Sequence, residues 1–191
     1  MLFRSVVIAT KSALVSRDID LLREIRRFSP AAVNITVTAA DDILCRKIER
    51  NVSVSSERFA ALKKLSQAGI PCGVLLMPIL PFINDTPENI LGIVRKTAEA
   101  GAKWIYCGSG FGVTLRTNQR EHFYNMADKY FPGVSEKYRP LFGNSYACYS
   151  PHSAELYKIF RAECIKFGII YEMRDICEYI HEDYSNIQLG F

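Results

Sequence analysis

No two of the six cysteines, at positions 45, 72, 107, 148, 164 and 177, lie closer than thirteen residues, so neither a CxxC nor a CxxxCxxC spacing occurs. The usual sequence signature of a zinc or iron–sulfur site is therefore missing. No basic segment followed by an apolar run reads as a secretory signal. A disulfide framework is accordingly not expected, and the thiols read as small, buried, apolar side chains. Apolar runs of membrane length are lacking too. The longest, residues 70–83, is broken by prolines and falls short of the roughly 18 residues a span requires. No membrane segment and a cytoplasmic location are the expectations. Charge of one sign is scarce: 24 Lys and Arg stand against 20 Asp and Glu, a formal +4. These charges are spread along helices and form no clustered basic face of the kind that binds DNA. His122, His152 and His181 are far apart, and metal ligation is not expected of them.

What is present fits one well-buried domain of 191 residues, 49% of them hydrophobic. Short β-branched runs alternate with amphipathic helices. SVVIAT, within residues 2–10, reads as a first strand, followed by a helix with Ile19, Leu22 and Ile25 on one face and Ser16 or Asp18 as cap. AAVNITVT is the second strand, and DDILCRKIER reads as a charged loop leading to a helix at SSER. The third strand covers residues 72–77, and Thr86-Pro87-Glu88 is a strong helix start: cap, proline at the first helical position and an acid in the first turn. KWIYC is the fourth strand and opens the glycine-bearing loop GSGFG. SQAGIPCGVLL and AEAGAKWIYCG repeat one pattern, their glycines 69 and 101 being 32 residues apart, the length of a β/α unit. A parallel sheet of about four β/α units follows, covering residues 1–133. Residues 134–191 form a C-terminal helical extension, with a helix in SAELYKIFRAECIKFGI and a short one in MRDICEYIH.

In parallel α/β folds, ligands gather where the strands end. Lys11 stands there, either facing a carboxylate or covering apolar surface with its stem. Thr36 and Thr38 share a strand face and offer hydroxyls, or serve β-propensity alone. Glu49 can accept from a ribose hydroxyl or an amino group, or pair with Arg46 at the surface. Arg58, in the first turn of its helix, can clamp a carboxylate, or lie solvated on the outer face. Pro78, Ile79, Leu80 and Pro81 make a stiff apolar lip for an adenine face, and Asn84 can read its edge or shape a turn. Gly108 and Gly110 permit close approach of a ligand, or simply turn the chain. The Tyr-rich tail reads as packed core ahead of a base-stacking surface.

Taken together, ATKSALVSRDIDLL, ITVTAADDILCRKIERNVSVSSERFAALKKLSQAGIP and GVLLMPILPFINDTPENI resemble the radical S-adenosylmethionine (SAM) superfamily, specifically its spore photoproduct lyase-like group. The likeness covers residues 5–120, and it lies in the combined spacing: TKS, then RDxDLL, then RKxE with an arginine nine residues after the acid, then AGIPxGV and PIxPxIND. Where the group has Glu-Pro-Arg, this sequence has Glu49-Arg50-Asn51.

The resemblance implies a partial (β/α)6 TIM-type barrel, incomplete here, with SAM and a 4Fe–4S cluster that together yield a 5′-deoxyadenosyl radical. It makes Lys11, Thr36, Thr38, Glu49, Arg58 and Asn84 candidate SAM contacts, and it admits nucleic acid as a substrate class. The cluster motif belongs upstream of the first strand seen here, so the expectation is the C-terminal part of such an enzyme, inactive by itself. The alternative is an accessory α/β module completed by a partner chain at an open sheet edge. A phosphate-binding α/β enzyme is a third reading, for which GSGFG is a weak phosphate loop.

Overall fold

The computed structural model describes residues 5–108 and 110–189. Four strands, β1 (Val6–Thr10), β2 (Ala31–Thr36), β3 (Cys72–Leu75) and β4 (Trp104–Tyr106), pair in parallel in chain order. Each register is direct: Val6 lies against Ala31, Val33 against Cys72 and Gly73 against Trp104. A single further bridge from Ile170 to Trp104 continues the sheet beyond β4. Of the first expected strand, residues 2–4 lie outside the described residues; Val6–Thr10 forms β1.

The helices between strands are α1 (Ile19–Arg26), α2 (Asp42–Ile48), α3 (Ser55–Gln67) and α4 (Pro87–Glu99). Ser12 caps a 3-10 turn, Ala13–Asp18, ahead of α1; neither Ser16 nor Asp18 provides a side-chain cap. The segment expected as a charged loop contains α2, because the Asp41 carboxylate accepts from Leu44 N at 2.9 Å and starts a helix there. α4 begins as expected, with the Thr86 hydroxyl accepting from Asn89 N.

Alternation along the strands splits the sheet into two faces. Val33, Ile35, Cys72, Val74 and Ile105 face Leu22 of α1, Leu62 and Leu65 of α3, Ile90 and Ile93 of α4, and Phe160 of α7 (Ser153–Phe167) in the main core. The opposite face carries Val7, Ala9, Ala32, Asn34, Thr36, Gly73, Trp104 and Tyr106. Its lower part, around Ala32 and Trp104, is covered by Ile176, Tyr179 and Ile180 of the last helix, α8 (Met173–Leu189). Gly168 adopts φ 65° at the end of α7, the left-handed closure that glycine permits.

A second cluster sits above the sheet. There β5 (Gly112–Thr114) pairs antiparallel with β6 (Ala147–Tyr149), flanked by α5 (Thr117–Tyr130) and α6 (Val134–Phe142). Tyr138 is its centre, fully buried against Phe123, Tyr124, Phe142 and Phe82 at ring separations of 5.0–5.9 Å. These aromatics of the second half are packed core.

The architecture is a mixed α/β fold with an ordered parallel sheet. The helices of the main core lie on one face of it.

Candidate functional site at the strand ends

Parallel pairing in sequence order places Thr10, Thr36, Leu75 and Tyr106 on one rim. Lys11 follows directly, and its ammonium lies 2.9 Å from Glu49 Oε1. Glu49 reaches the rim because α2 ends there: it is the C-cap, its N–H donating to the Cys45 carbonyl. The Thr38 hydroxyl donates to the same carboxylate oxygen at 3.2 Å. Arg58 approaches from the first turn of α3, with Nη1 2.5 Å from Glu49 Oε2. The same Nη1 donates to the Thr36 carbonyl at 2.8 Å, and Nε donates to the Ser53 carbonyl at 2.7 Å. Five of the sequence-predicted residues thus meet: Lys11, Thr38, Glu49 and Arg58 through side chains, Thr36 through its backbone.

Exposure separates their roles. Lys11 is 42% exposed, the Glu49 side chain 9%, and Arg58 not at all. Arg58 is therefore not a solvated residue on an outer face. It is a buried cation that binds two carbonyls and one carboxylate. Two cations share the Glu49 carboxylate, and of the three side chains Lys11 is the exposed one.

Asn84 belongs to an adjoining network. Its Nδ2 donates to the Thr38 carbonyl at 2.8 Å, and its Oδ1 accepts from Leu80 N at 2.5 Å. It is fully buried, so both ends of its amide are spent on backbone. Asn89, which the sequence reading passed over, donates to the carbonyls of Thr38 and Asn84 and accepts from Ala40 N at 2.7 Å. The signal available for it was its place three residues after the Thr86 cap. Thr38 joins the two networks, its hydroxyl serving Glu49 and its carbonyl serving both asparagines.

Two depressions open on this rim. One, of about 600 Å³, is lined by Thr10, Lys11, Ser12, Asn51, Ser53 and Glu57 among others. The other, of about 410 Å³, lies between the ends of β3 and β4 and the β5–β6 pair, with Met77, Pro78, Cys107, Gly108, Gly110 and Tyr149 in its wall. Pro78 and Gly108, singled out from the sequence, thus line one depression; Leu80 and Ile83 pack away from it, into the second cluster.

This parallel α/β sheet with its polar rim defines the class of fold, and comparison with solved structures makes it specific. The chain is similar to spore photoproduct lyase complexed with dinucleoside spore photoproduct, at TM-score 0.61 and 15% identity over 86% of this chain and 49% of that one. A mutant of that lyase with bound AdoMet and the dinucleoside aligns at TM-score 0.63, also at 15% identity and with the same coverage. The fold expected from the resemblance is therefore the fold observed, at the level of its α/β architecture. In sequence, an uncharacterized protein of Mycobacterium tuberculosis (strain ATCC 25618 / H37Rv) is 29% identical over 135 residues, 71% of this chain and 39% of that protein. An uncharacterized protein of Methanocaldococcus jannaschii is 36% identical over 85 residues, 44% of this chain and 31% of that protein. No family model matches the chain. The chain spans less than half the length of these relatives.

The donor set can be weighed against the groups that the resemblance implies. Among the described residues, no three His, Cys, Asp or Glu side chains stand close enough to hold a metal ion. Cys45, Cys72, Cys107, Cys148 and Cys164 are buried. Burial pushes the Cys72 and Cys164 thiols up to about 12 and Cys107 to about 11, away from the thiolate a cluster requires. These residues do not fit a 4Fe–4S cluster. The rim residues do fit the organic part of AdoMet: a partly exposed ammonium beside one depression, and a largely apolar, glycine-walled depression two strands away. No helix among the described residues is long and apolar enough to cross a membrane.

Proposed function

We propose that this chain is the SAM-side portion of a radical SAM protein of the spore photoproduct lyase-like group, with residues 1–133 as a partial barrel and 134–191 as its helical extension. The observation that carries this reading is the partly exposed Lys11 ammonium at the strand rim, 2.9 Å from Glu49, in a fold shared with an AdoMet-binding lyase. Lys11 would receive the methionyl carboxylate, and the hydroxyls of Thr36 and Thr38 lie on the ribose side. The Met77, Pro78 and Gly108 depression takes the adenine, where the missing Cβ of Gly108 leaves room for a flat ring. Asn84 acts by fixing the lip of that depression through its backbone bonds. AdoMet held there would supply a sulfonium C–S bond that breaks on one-electron reduction, releasing methionine and the adenosyl fragment, the electron coming from a cluster that the described residues of this chain do not hold. This chain's part is to bind, orient and shield the cofactor. A nucleic-acid substrate is carried over from the dinucleoside that the lyase binds.

Saturation-transfer NMR with AdoMet tests the assignment, since it detects binding too weak for calorimetry. Transfer to the adenine protons that is lost in Lys11→Met supports it; equal transfer in both proteins removes Lys11 from the site. Whether the complete system is a radical enzyme is decided by reading the DNA upstream of Met1 for an in-frame CxxxCxxC. If that longer protein, reconstituted with iron and sulfide, forms no cluster and does not cleave AdoMet under reductant, the reading fails.

One set of exposures favours a second reading, an α/β module completed by another polypeptide. β1 ends the sheet, and among the described residues it pairs only with β2. Val7 on this strand is 54% exposed; Leu14, Leu21 and Phe28, at successive seven-residue steps, are 70%, 61% and 78% exposed. An uncharged edge strand and exposed apolar side chains on the segments that follow it are features that proteins ordinarily cover. Sedimentation velocity separates the outcomes: a monomer at all concentrations leaves the face for a different chain, and reversible dimers assign it to a second copy.

A further inference from the structure

The rim cluster holds a geometric mismatch that points to a second arrangement of the same residues. Glu49 Oε1 is doubly engaged, by the Lys11 ammonium and by the Thr38 hydroxyl. Its other oxygen, Oε2, is held 2.5 Å from Arg58 Nη1 as an ion pair outside directed hydrogen-bond geometry, while Nη1 also donates to the Thr36 carbonyl. Arg58 Nη2 is buried and has no hydrogen-bond partner either. The Nη2 donors are thus unspent, and Oε2 is held by charge and not by a directed bond, in a side-chain pair that solvent scarcely reaches. Guanidinium and carboxylate prefer two parallel bonds, and buried polar atoms are seldom left unpaired. What keeps Glu49 from turning its edge to the fork of Arg58 is its other obligation, to Lys11.

We propose that Lys11, Glu49 and Arg58 form a counter-ion relay. In the arrangement described, Glu49 tethers Lys11 at the rim. When a ligand carboxylate draws the Lys11 ammonium away, Glu49 turns and closes a two-bond pair with Arg58 through the unused Nη2. Arg58 is then a positioning residue, not the ligand clamp its sequence position suggests. It lets the site release Lys11 without stranding a buried carboxylate, whose lone charge would otherwise be costly. The relay also sets selectivity. A ligand that presents a carboxylate to Lys11 engages it, and a carboxylate-free adenosyl compound does not. This rests on the reading that Lys11 receives a carboxylate, and the two are tested separately.

The relay itself is tested without ligand. Lys11→Met removes the tether, so a crystal structure of that variant is expected to show Glu49 and Arg58 joined by two hydrogen bonds, one of them from Nη2. An unchanged Glu49, with Nη2 still unpartnered, overturns the relay. The ligand side is tested in the unmodified protein by acetic anhydride labelling and mass spectrometry, with exposed Lys63 as the internal reference. AdoMet is expected to slow labelling of Lys11 at least threefold, and 5′-methylthioadenosine, which lacks the carboxylate, to leave it unchanged. Protection by both compounds, or by neither, removes the carboxylate from Lys11 while the Lys11→Met structure still decides the relay.

Discussion

The Trp104 indole donates from Nε1 to Asn34 Oδ1 at 2.7 Å, and to do so it lies flat across Gly73 of the intervening strand. A Cβ on Gly73 would come within 2.2–2.4 Å of three indole atoms. Gly73 is therefore glycine for space, and the indole in turn seats Tyr179 of α8, ring to ring at 6.1 Å.

Gly73→Ala must expel the indole from this seat. A loss of about 1–3 kcal/mol in urea unfolding is expected, the usual cost of overpacking. Trp104 is the only tryptophan, so its emission should also move to the red as α8 loosens. An unshifted spectrum with unchanged stability would mean that the indole does not rest on Gly73.

Arg58→Met leaves Glu49 with Lys11 as its one cation, beside the Thr38 hydroxyl, and strips the Thr36 and Ser53 carbonyls of the Arg58 donors. Breaking a buried pair in this way costs about 3–5 kcal/mol. Arg58→Lys should recover little of it, because an ammonium cannot reach two carbonyls and a carboxylate in one plane. Full recovery in Lys would show that charge alone matters at this position.

How much of this was legible beforehand depends on how local the signal is. α4 and α7 were plain because a cap, a proline or a terminal glycine lies beside an apolar stripe of ordinary period. α2 was hidden because it is only seven residues long and its cap, Asp41, is followed by a second acid, so the segment reads as a charged loop. α5 was hidden for a different reason: its buried residues are Arg120, Tyr124 and Ala127, which do not make an aliphatic stripe. At the rim, the residue types were readable and their assembly was not. The lack of exposure at Arg58 depends on α3 packing against β2, which no local pattern states.

Asn89→Ala removes an amide that holds Thr38, Asn84 and Ala40 together. Leaving such buried groups unpaired costs about 1–3 kcal/mol. Hydrogen exchange should report it locally, with faster exchange at Ala40 N, whose amide loses its acceptor, than in β4. Uniform exchange across both would show that the loop is held by other means.

Burial raises the Cys72 and Cys164 thiols from 9.0 to about 12 and Cys107 to about 11. The folded protein therefore holds these protons more tightly than the unfolded chain. Their contribution to stability is complete below pH 9 and falls as pH rises toward 11–12. Unfolding free energy should decline over that window, with a shallower slope in Cys164→Ala. Ellman's reagent at pH 8 should find a single fast thiol, exposed Cys177, out of six. Six fast thiols in folded protein would contradict the burial.

The edge strand supplies the last expectation. β1 reads VVIAT, with no charge, proline or bulge to discourage a second strand from pairing with it. Val7 points away from the helix-bearing face, and more than half of it is exposed, so Val7→Lys places a charge there without touching the main core. Stability should change by less than about 0.5 kcal/mol, as for other surface replacements. Concentration-dependent light scattering of the unmodified protein should fall in the variant, because a lysine on the open edge must be desolvated before any strand can add. If scattering is unchanged while Leu21→Glu and Phe28→Glu abolish it, association runs through the helix side of this unit and the strand edge is a bystander.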